Sequence, residues 1–244
     1  VCNIHDDLCQ TIGITRLIVI ENTVGGKVLP LSYMQQVAAL AKANHLQCHI
    51  DGARLFNAAV ALAPQHQLSP QQMAKTLCQG YDSVSICLSK GLGAPIGSLL
   101  LGSHEFIQRA KRVRKMLGGG MRQTGLLAAA GHYALQQHID RLADDHANTR
   151  LLAEGLTALA QQGRFAGQLS IQPPQTNILF TDLPPVLAEQ LIAFLATQQI
   201  QLTSSNYASA SGPLKRIRWV CHLDISTADI QHTLDLLSQF AHSS

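Results

Sequence analysis

Val84-Ser85-Ile86-Cys87-Leu88-Ser89-Lys90-Gly91-Leu92-Gly93 is the stretch that decides the fold. It opens as a short apolar run with β-branched Val84 and Ile86, which reads as a strand over 84–88. It then breaks into glycine-rich backbone directly after a lysine. The same pattern occurs upstream. Leu17-Ile18-Val19-Ile20 is a continuous apolar run, expected to be a strand buried on both faces. Cys48-His49-Ile50 is a further strand, and Asp51-Gly52-Ala53-Arg54 follows it at once. Helical patterns fill the gaps. Pro30 opens one from Ser32 to about Ala43, with Met34, Val37, Leu40 and Ala41 on one face. Leu55 to Leu62 reads as another, with a surface loop expected over Ala63–Gln72. Ser69-Pro70 pairs an N-cap with a proline at the first helical position and predicts a helix to about Cys78. A strand at Ser98–Leu101 and a helix over Glu105–Met116 come next. This alternation predicts an α/β architecture around a mainly parallel sheet.

From Arg122 to about Gln162 the sequence is rich in Ala and Leu and contains no proline, which predicts one long or bent helix. Beyond it, strands are expected at 177–180, 200–203 and 217–220, with helices at 186–197 and after Ser226. The boundary between domains is expected inside the long helix. That gives part of a large domain over 1–143 and a small C-terminal α+β domain over 144–244.

Composition narrows the function classes. Of 244 residues, 46% are apolar and 14% charged, which excludes a disordered polyelectrolyte. A net charge of +3 is too mild to argue for nucleic acid or a membrane surface. Six cysteines, at positions 2, 9, 48, 78, 87 and 221, form no C-x-x-C or zinc-ribbon spacing. They are expected to be free thiols in a reducing compartment, the cytoplasm. No apolar run reaches the length of a membrane span, and no signal peptide is expected. The histidines, among them His49, His132, His138, His146 and His222, show no metal-ligand spacing. Dinucleotide, P-loop and nucleophile-elbow fingerprints are absent from the sequence.

Four features carry possible chemistry. Lys90 follows a strand, at the carboxyl end where open α/β sheets bind ligands. A lysine in a partly desolvated cleft there becomes a nucleophile able to form a Schiff base. The competing reading is a loop lysine facing water, against which the glycines and the strand weigh. Asp51 also follows a strand. An acid in that position holds the pyridine nitrogen of pyridoxal phosphate protonated, or simply caps the next helix. Gly118-Gly119-Gly120-Met121-Arg122-Gln123 follows the basic run Lys111-Arg112-Val113-Arg114-Lys115. It reads either as a helix end whose cations suit the dipole, or as a place that meets a phosphate or a neighbouring subunit. In Arg216-Ile217-Arg218-Trp219-Val220, alternation puts both arginines on one face. An arginine there forks onto a carboxylate, or faces water from an edge strand.

Together, several phrases resemble the low-specificity L-threonine aldolases, fold-type-I pyridoxal phosphate enzymes of the β-eliminating lyase group. These are Glu21-Asn22-Thr23, Asp51 to Ala58, Asp82-Ser83-Val84, Cys87 to Ser98, Gly118 to Gln123 and Arg218 to Asp224. The likeness runs over nearly the whole chain. It implies a fold-type-I large-domain part with a small C-terminal domain. It also implies cleavage of β-hydroxy-α-amino acids, L-threonine and L-allo-threonine, to glycine and acetaldehyde. By motif match Lys90 is the Schiff-base lysine and Asp51 pairs with the pyridinium nitrogen. Arg54 and Arg218 hold the substrate carboxylate, Arg54 also lying at the cofactor. Lys115 and Arg122 have cofactor-phosphate or subunit-interface roles. A homotetramer is expected on the same ground.

The sequence also departs from the family. The family's phosphate-gripping glycine loop, its ring-stacking histidine and a carboxylate-binding serine are expected upstream of Val1. A histidine that the family often carries before Glu-Asn-Thr has no counterpart over 10–15. The chain by itself is therefore expected to bind the cofactor weakly, to cleave threonine poorly or not at all, and to be poorly soluble. Two alternatives stay open: another fold-type-I lyase of tryptophanase or serine hydroxymethyltransferase type, and a catalytically silent piece that serves only in oligomerisation.

Overall fold

The computed structural model describes residues 14–210 and 212–243; Cys2 and Cys9 lie outside them. The chain divides into two compact units. One holds residues up to Val24 with Val28–Asp140, the other Gly25–Lys27 with Arg141 onward.

In the first unit the order is β1 (Leu17–Glu21), α1 (Leu31–Ala43), β2 (Gln47–Gly52), α2 (Leu55–His66), α3 (Pro70–Leu77), β3 (Ser83–Cys87), β4 (Ser98–Gly102), α4 (His104–Met116) and α5 (Gly125–Gln137). The strands form one sheet in the order β1-β2-β3-β4. β1, β2 and β3 run parallel, whereas β4 is antiparallel to β3, so the sheet is mixed. Helices α1 to α3 supply Met34, Leu55, Met73 and Leu77 to a core that also takes Ile50, Val84 and Ile86. The alternate strand positions face the other way. His49 and Ser83 meet there, Nδ1 to Oγ at 2.8 Å.

In the second unit the order is α6 (Leu142–Leu159), β5 (Ser170–Gln172), β6 (Ile178–Leu183), α7 (Pro185–Thr197), β7 (Thr203–Ser209), β8 (Gly212–Val220) and α8 (Thr227–His242). Its sheet, β5-β6-β8-β7, is antiparallel throughout. Ile217 and Trp219 of β8 enter a core built with Leu152, Leu156, Leu191, Leu237 and Phe240 of the three helices. Gly26 joins this unit because Thr176 Oγ1 donates to its carbonyl oxygen at 2.7 Å.

Several sequence expectations change. β1 is not buried on both faces: Leu17 and Val19 are half exposed, at 51% and 54%. The predicted loop over Ala63–Gln72 is mostly helix, since α2 carries Pro64 in its last turn and α3 starts at Pro70. The single long helix over 122–162 is two, α5 and α6. No breaker residue separates them; His138 leaves the helix to bond elsewhere and Ile139 is buried. The strand placed at 200–203 starts at Thr203 and forms a hairpin with β8. β8 therefore lies inside the sheet, which removes the edge-strand reading of its arginines. The thiols of Cys48, Cys78 and Cys221 are pushed up by burial, Cys78 to about 11, so they stay protonated at neutral pH.

Candidate active site

The carboxyl ends of β2 and β3 lie side by side, with Asp51 opposite Ser85 and Gly52 opposite Ile86. This pairing is close because residue 52 is glycine. A Cβ there would stand 2.6 Å from the Ser85 carbonyl oxygen. Asp51 is exposed, and its Oδ1 accepts from Ala53 N at 3.1 Å, which folds the chain over towards α2. Arg54 occupies the N-cap position of α2 and is half-buried. The Arg54–Asn57 turn and the Cys87–Leu92 segment share a crevice lined by Arg54, Asn57, Cys87 and Gly91. Lys90 is exposed at the start of a tight turn in which Gly93 N donates to Lys90 O at 2.8 Å. Leu88 N donates to Gly97 O at 2.9 Å and Ala94 N to Leu88 O at 3.0 Å, closing the loop between β3 and β4. Gly93 and Gly97 take φ of +69° and +122°, the left-handed region that favours glycine. The structure thus brings Asp51, Arg54 and Lys90 to the carboxyl-end side of one sheet.

Two neighbours of these residues carried no assigned role in the sequence reading. Glu21 pairs with Asp51 across β1 and β2, which puts a second carboxylate on the same face. Just beyond it, Thr23 is buried and its Oγ1 has no hydrogen-bond partner among the described residues. Such an orphan costs about 1–3 kcal/mol. Register was the missing signal for both: the sequence shows the Glu-Asn-Thr phrase but not which strand lies beside it.

Lys115 and Arg122 sit elsewhere in this unit, around the end of α4, and both are exposed. The glycine run has a local explanation. Gly118 has φ +84°, Gly119 N donates to Arg114 O at 2.8 Å and Gly118 N to Lys115 O at 3.2 Å. This pair of hydrogen bonds is the one that ends a helix with a left-handed glycine. Gly120 leaves room for the Lys115 stem, which a Cβ at that position would strike.

Arg218 belongs to the second unit. It pairs with Phe180 of β6 and Thr203 of β7, and it is exposed. It lines a cavity of about 520 Å³ together with Thr203, Trp219, His222, Asp224 and Ile230. Its neighbour Arg216 is committed. Nε meets Asp182 Oδ1 at 2.8 Å and the other arm meets Oδ2 at 2.9 Å, while the guanidinium lies 4.7 Å from the Tyr207 ring centre. Burial pushes the Asp182 carboxyl up, but the hydrogen bonds and charge of Arg216, with hydrogen bonds from Tyr207 and Gln172, outweigh it and hold the carboxyl below its ordinary value. Arg218 makes no ion pair among the described residues. Of the two arginines on this face, it is the one open to a ligand. No group of His, Cys, Asp and Glu suited to a metal ion occurs among the described residues.

The beta-eliminating lyase family model matches residues 10–183. Low-specificity L-threonine aldolase 1 of Arabidopsis thaliana is 42% identical over 232 residues, covering 92% of this chain and 59% of its own length. Low specificity L-threonine aldolase of Escherichia coli strain K12 is 41% identical over 212 residues, covering 87% of this chain and 56% of its own. The chain therefore spans little more than half the length of these relatives. Among solved structures, the threonine aldolase of Leishmania major superposes with a TM-score of 0.76 at 18% identity, over 96% of this chain and 63% of that one. A serine palmitoyltransferase from Sphingomonas wittichii superposes with a TM-score of 0.64 at 16% identity, over 93% and 55%. At these identities the likeness concerns the fold, the fold-type-I α/β architecture with a mixed sheet.

Proposed function

The chain belongs to the beta-eliminating lyase family, and on that premise we propose that it forms part of a pyridoxal phosphate-dependent aldehyde-lyase that cleaves L-threonine and L-allo-threonine to glycine and acetaldehyde. One observation carries the reading. Asp51 lies at the carboxyl end of β2 and Lys90 just past the carboxyl end of the adjacent parallel strand β3, in a chain about 40% identical to proteins named threonine aldolases.

The donor set fits the cofactor. Lys90 is the amine that would hold its aldehyde carbon. Asp51, exposed one strand away, is the carboxylate that would keep a proton on its ring nitrogen, with Glu21 adding negative charge beside it. Lys115 and Arg122 are exposed cations suited to its phosphate or to a subunit boundary. When bound, pyridoxal phosphate supplies an electrophilic aldehyde and a cationic ring that takes up the electron pair of a breaking bond. The protein's part is to bind and orient. Arg218 is the uncommitted fork for the substrate carboxylate, with Arg54 as a second cation at the crevice beside the lysine loop. Asp51 holds its proton partner at a fixed register because Gly52 lets β2 and β3 approach closely.

Among the described residues no helix is long and apolar enough to cross a membrane. Four described cysteines are free thiols, which supports a reducing compartment, the cytoplasm. Self-assembly, to a tetramer, is part of the same proposal. The test is product analysis. With added pyridoxal phosphate, the chain is given L-threonine, L-allo-threonine, serine and tryptophan, and glycine and acetaldehyde are measured. Threonine-dependent acetaldehyde that is lost in Lys90→Ala supports the reading. Products from serine or tryptophan alone would replace it with another lyase.

A further inference from the structure

His138 ends α5, and its Nδ1 donates to the carbonyl oxygen of Leu92 at 2.7 Å. Leu92 lies inside the turn that Lys90 opens and Gly93 closes, and it is 3% exposed. A carbonyl there has little access to water, so the imidazole satisfies a group that would otherwise be costly to bury. The Tyr133 ring stands edge-on to the imidazole, with centroids 5.4 Å apart and planes at 87°, which fixes the ring's direction. Seven residues earlier on the same helix face, Gly131 lies against Leu88; a Cβ there would stand 2.8 Å from Leu88 Cδ1. Ala134, between them, is buried. One stripe of α5 therefore backs the lysine loop, touching it before Lys90 and after it.

We propose that His138 is a positioning residue for Lys90. Its hydrogen bond to Leu92 fixes the path of the glycine-flanked turn and hence where the lysine Cα sits. The proposal rests on Lys90 being the cofactor-bonding amine. Among the described residues, the loop's other hydrogen bonds stay within itself or reach only the adjoining ends of β3 and β4. Gly91 and Gly93 give the turn little stiffness of its own. The tether requires a proton on Nδ1, which both the neutral Nδ1–H tautomer and the imidazolium provide. An asparagine amide reaches about the place of Nδ1, whereas leucine fills the volume with no donor.

The experiment compares the parent protein with His138→Leu and His138→Asn. Deuterium uptake is followed in peptides covering residues 88–97. The rate at which pyridoxal phosphate is fixed on Lys90 by borohydride is measured relative to exposed Lys42. In His138→Leu, uptake in the loop rises and relative labelling of Lys90 falls, each about fivefold, the effect of one net hydrogen bond. His138→Asn restores both. Parent-like uptake and labelling in His138→Leu would overturn the proposal. So would faster uptake spread evenly over the first unit, or failure of His138→Asn to rescue. A parent protein that takes no label on Lys90 would overturn the lysine reading itself. The exchange rates need no cofactor and still decide the tether.

Discussion

Arg216 and Arg218 share a strand and a face, yet their surroundings assign them different work. Arg216→Leu leaves the Asp182 carboxylate buried without its cationic partner, with Tyr207 and Gln172 still bonded to it. The expected cost is about 2 kcal/mol, below the full penalty for a broken buried pair because the guanidinium is 32% exposed. Arg218→Leu is expected to leave stability within about 0.5 kcal/mol of the parent. Urea unfolding of both variants checks this, and equal losses would contradict the division of roles. Gly52→Ala is a second residue-scale prediction. Its methyl group meets a carbonyl oxygen held in the β2–β3 pairing, so a loss of about 1–3 kcal/mol is expected. An unchanged unfolding midpoint would contradict that close approach. Lys90 and Asp51 were legible from sequence because each directly follows an apolar run, and strand ends are where such sheets bind ligands. The family resemblance named Arg218, but the residue pattern alone did not separate the two arginines. Alternation gives the face, but only the neighbouring strand gives Asp182.

At the scale of elements, caps were readable and breaks were not. Ser69 and Ser226 both form complete capping boxes, with Gln72 and Asp229. The division between α5 and α6 has no local signal, because a tertiary hydrogen bond from His138 makes it. α6 carries a testable pH dependence. Burial, aided by the charge of Arg150, pulls the His146 imidazole down to about 4. In the unfolded chain it takes up its proton near ~6.5. Between those values the unfolded state binds more protons, so stability falls as pH drops, by up to ~3 kcal/mol. Melting curves across this range are expected to show a shallower loss in His146→Leu than in the parent. The difference isolates the imidazole from Asp145, whose carboxyl burial pushes up despite Arg141. Parallel losses in the two proteins would contradict the buried neutral histidine.

For the molecule as a whole, no feature of the sequence indicates that Gly25–Lys27 groups with the unit from Arg141 onward, where Thr176 Oγ1 donates to the Gly26 carbonyl oxygen. Poor solubility was expected from the sequence, but which apolar residues stay uncovered was not. Leu17 and Val19 on β1 and Leu99, Leu100 and Leu101 on β4 are exposed, as are Met116 and Leu117 at the end of α4 and Leu126 at the start of α5. Both strands are sheet edges among the described residues. Exposed apolar edges favour association. Sedimentation is expected to show self-association that weakens when Val19 and Leu100 are both changed to Lys. A parent protein that stays monomeric over a wide concentration range would contradict this.

The central claim is that Lys90 and Asp51 serve one cofactor, and covalent mapping tests it most directly. The 244-residue protein is titrated with pyridoxal phosphate, reduced with borohydride, digested and mapped by mass. The predicted result is label concentrated on the peptide bearing Lys90, abolished in Lys90→Ala and weakened in Asp51→Asn. Label spread evenly over exposed lysines such as Lys42, Lys75 and Lys111, and indifferent to Asp51, would contradict it.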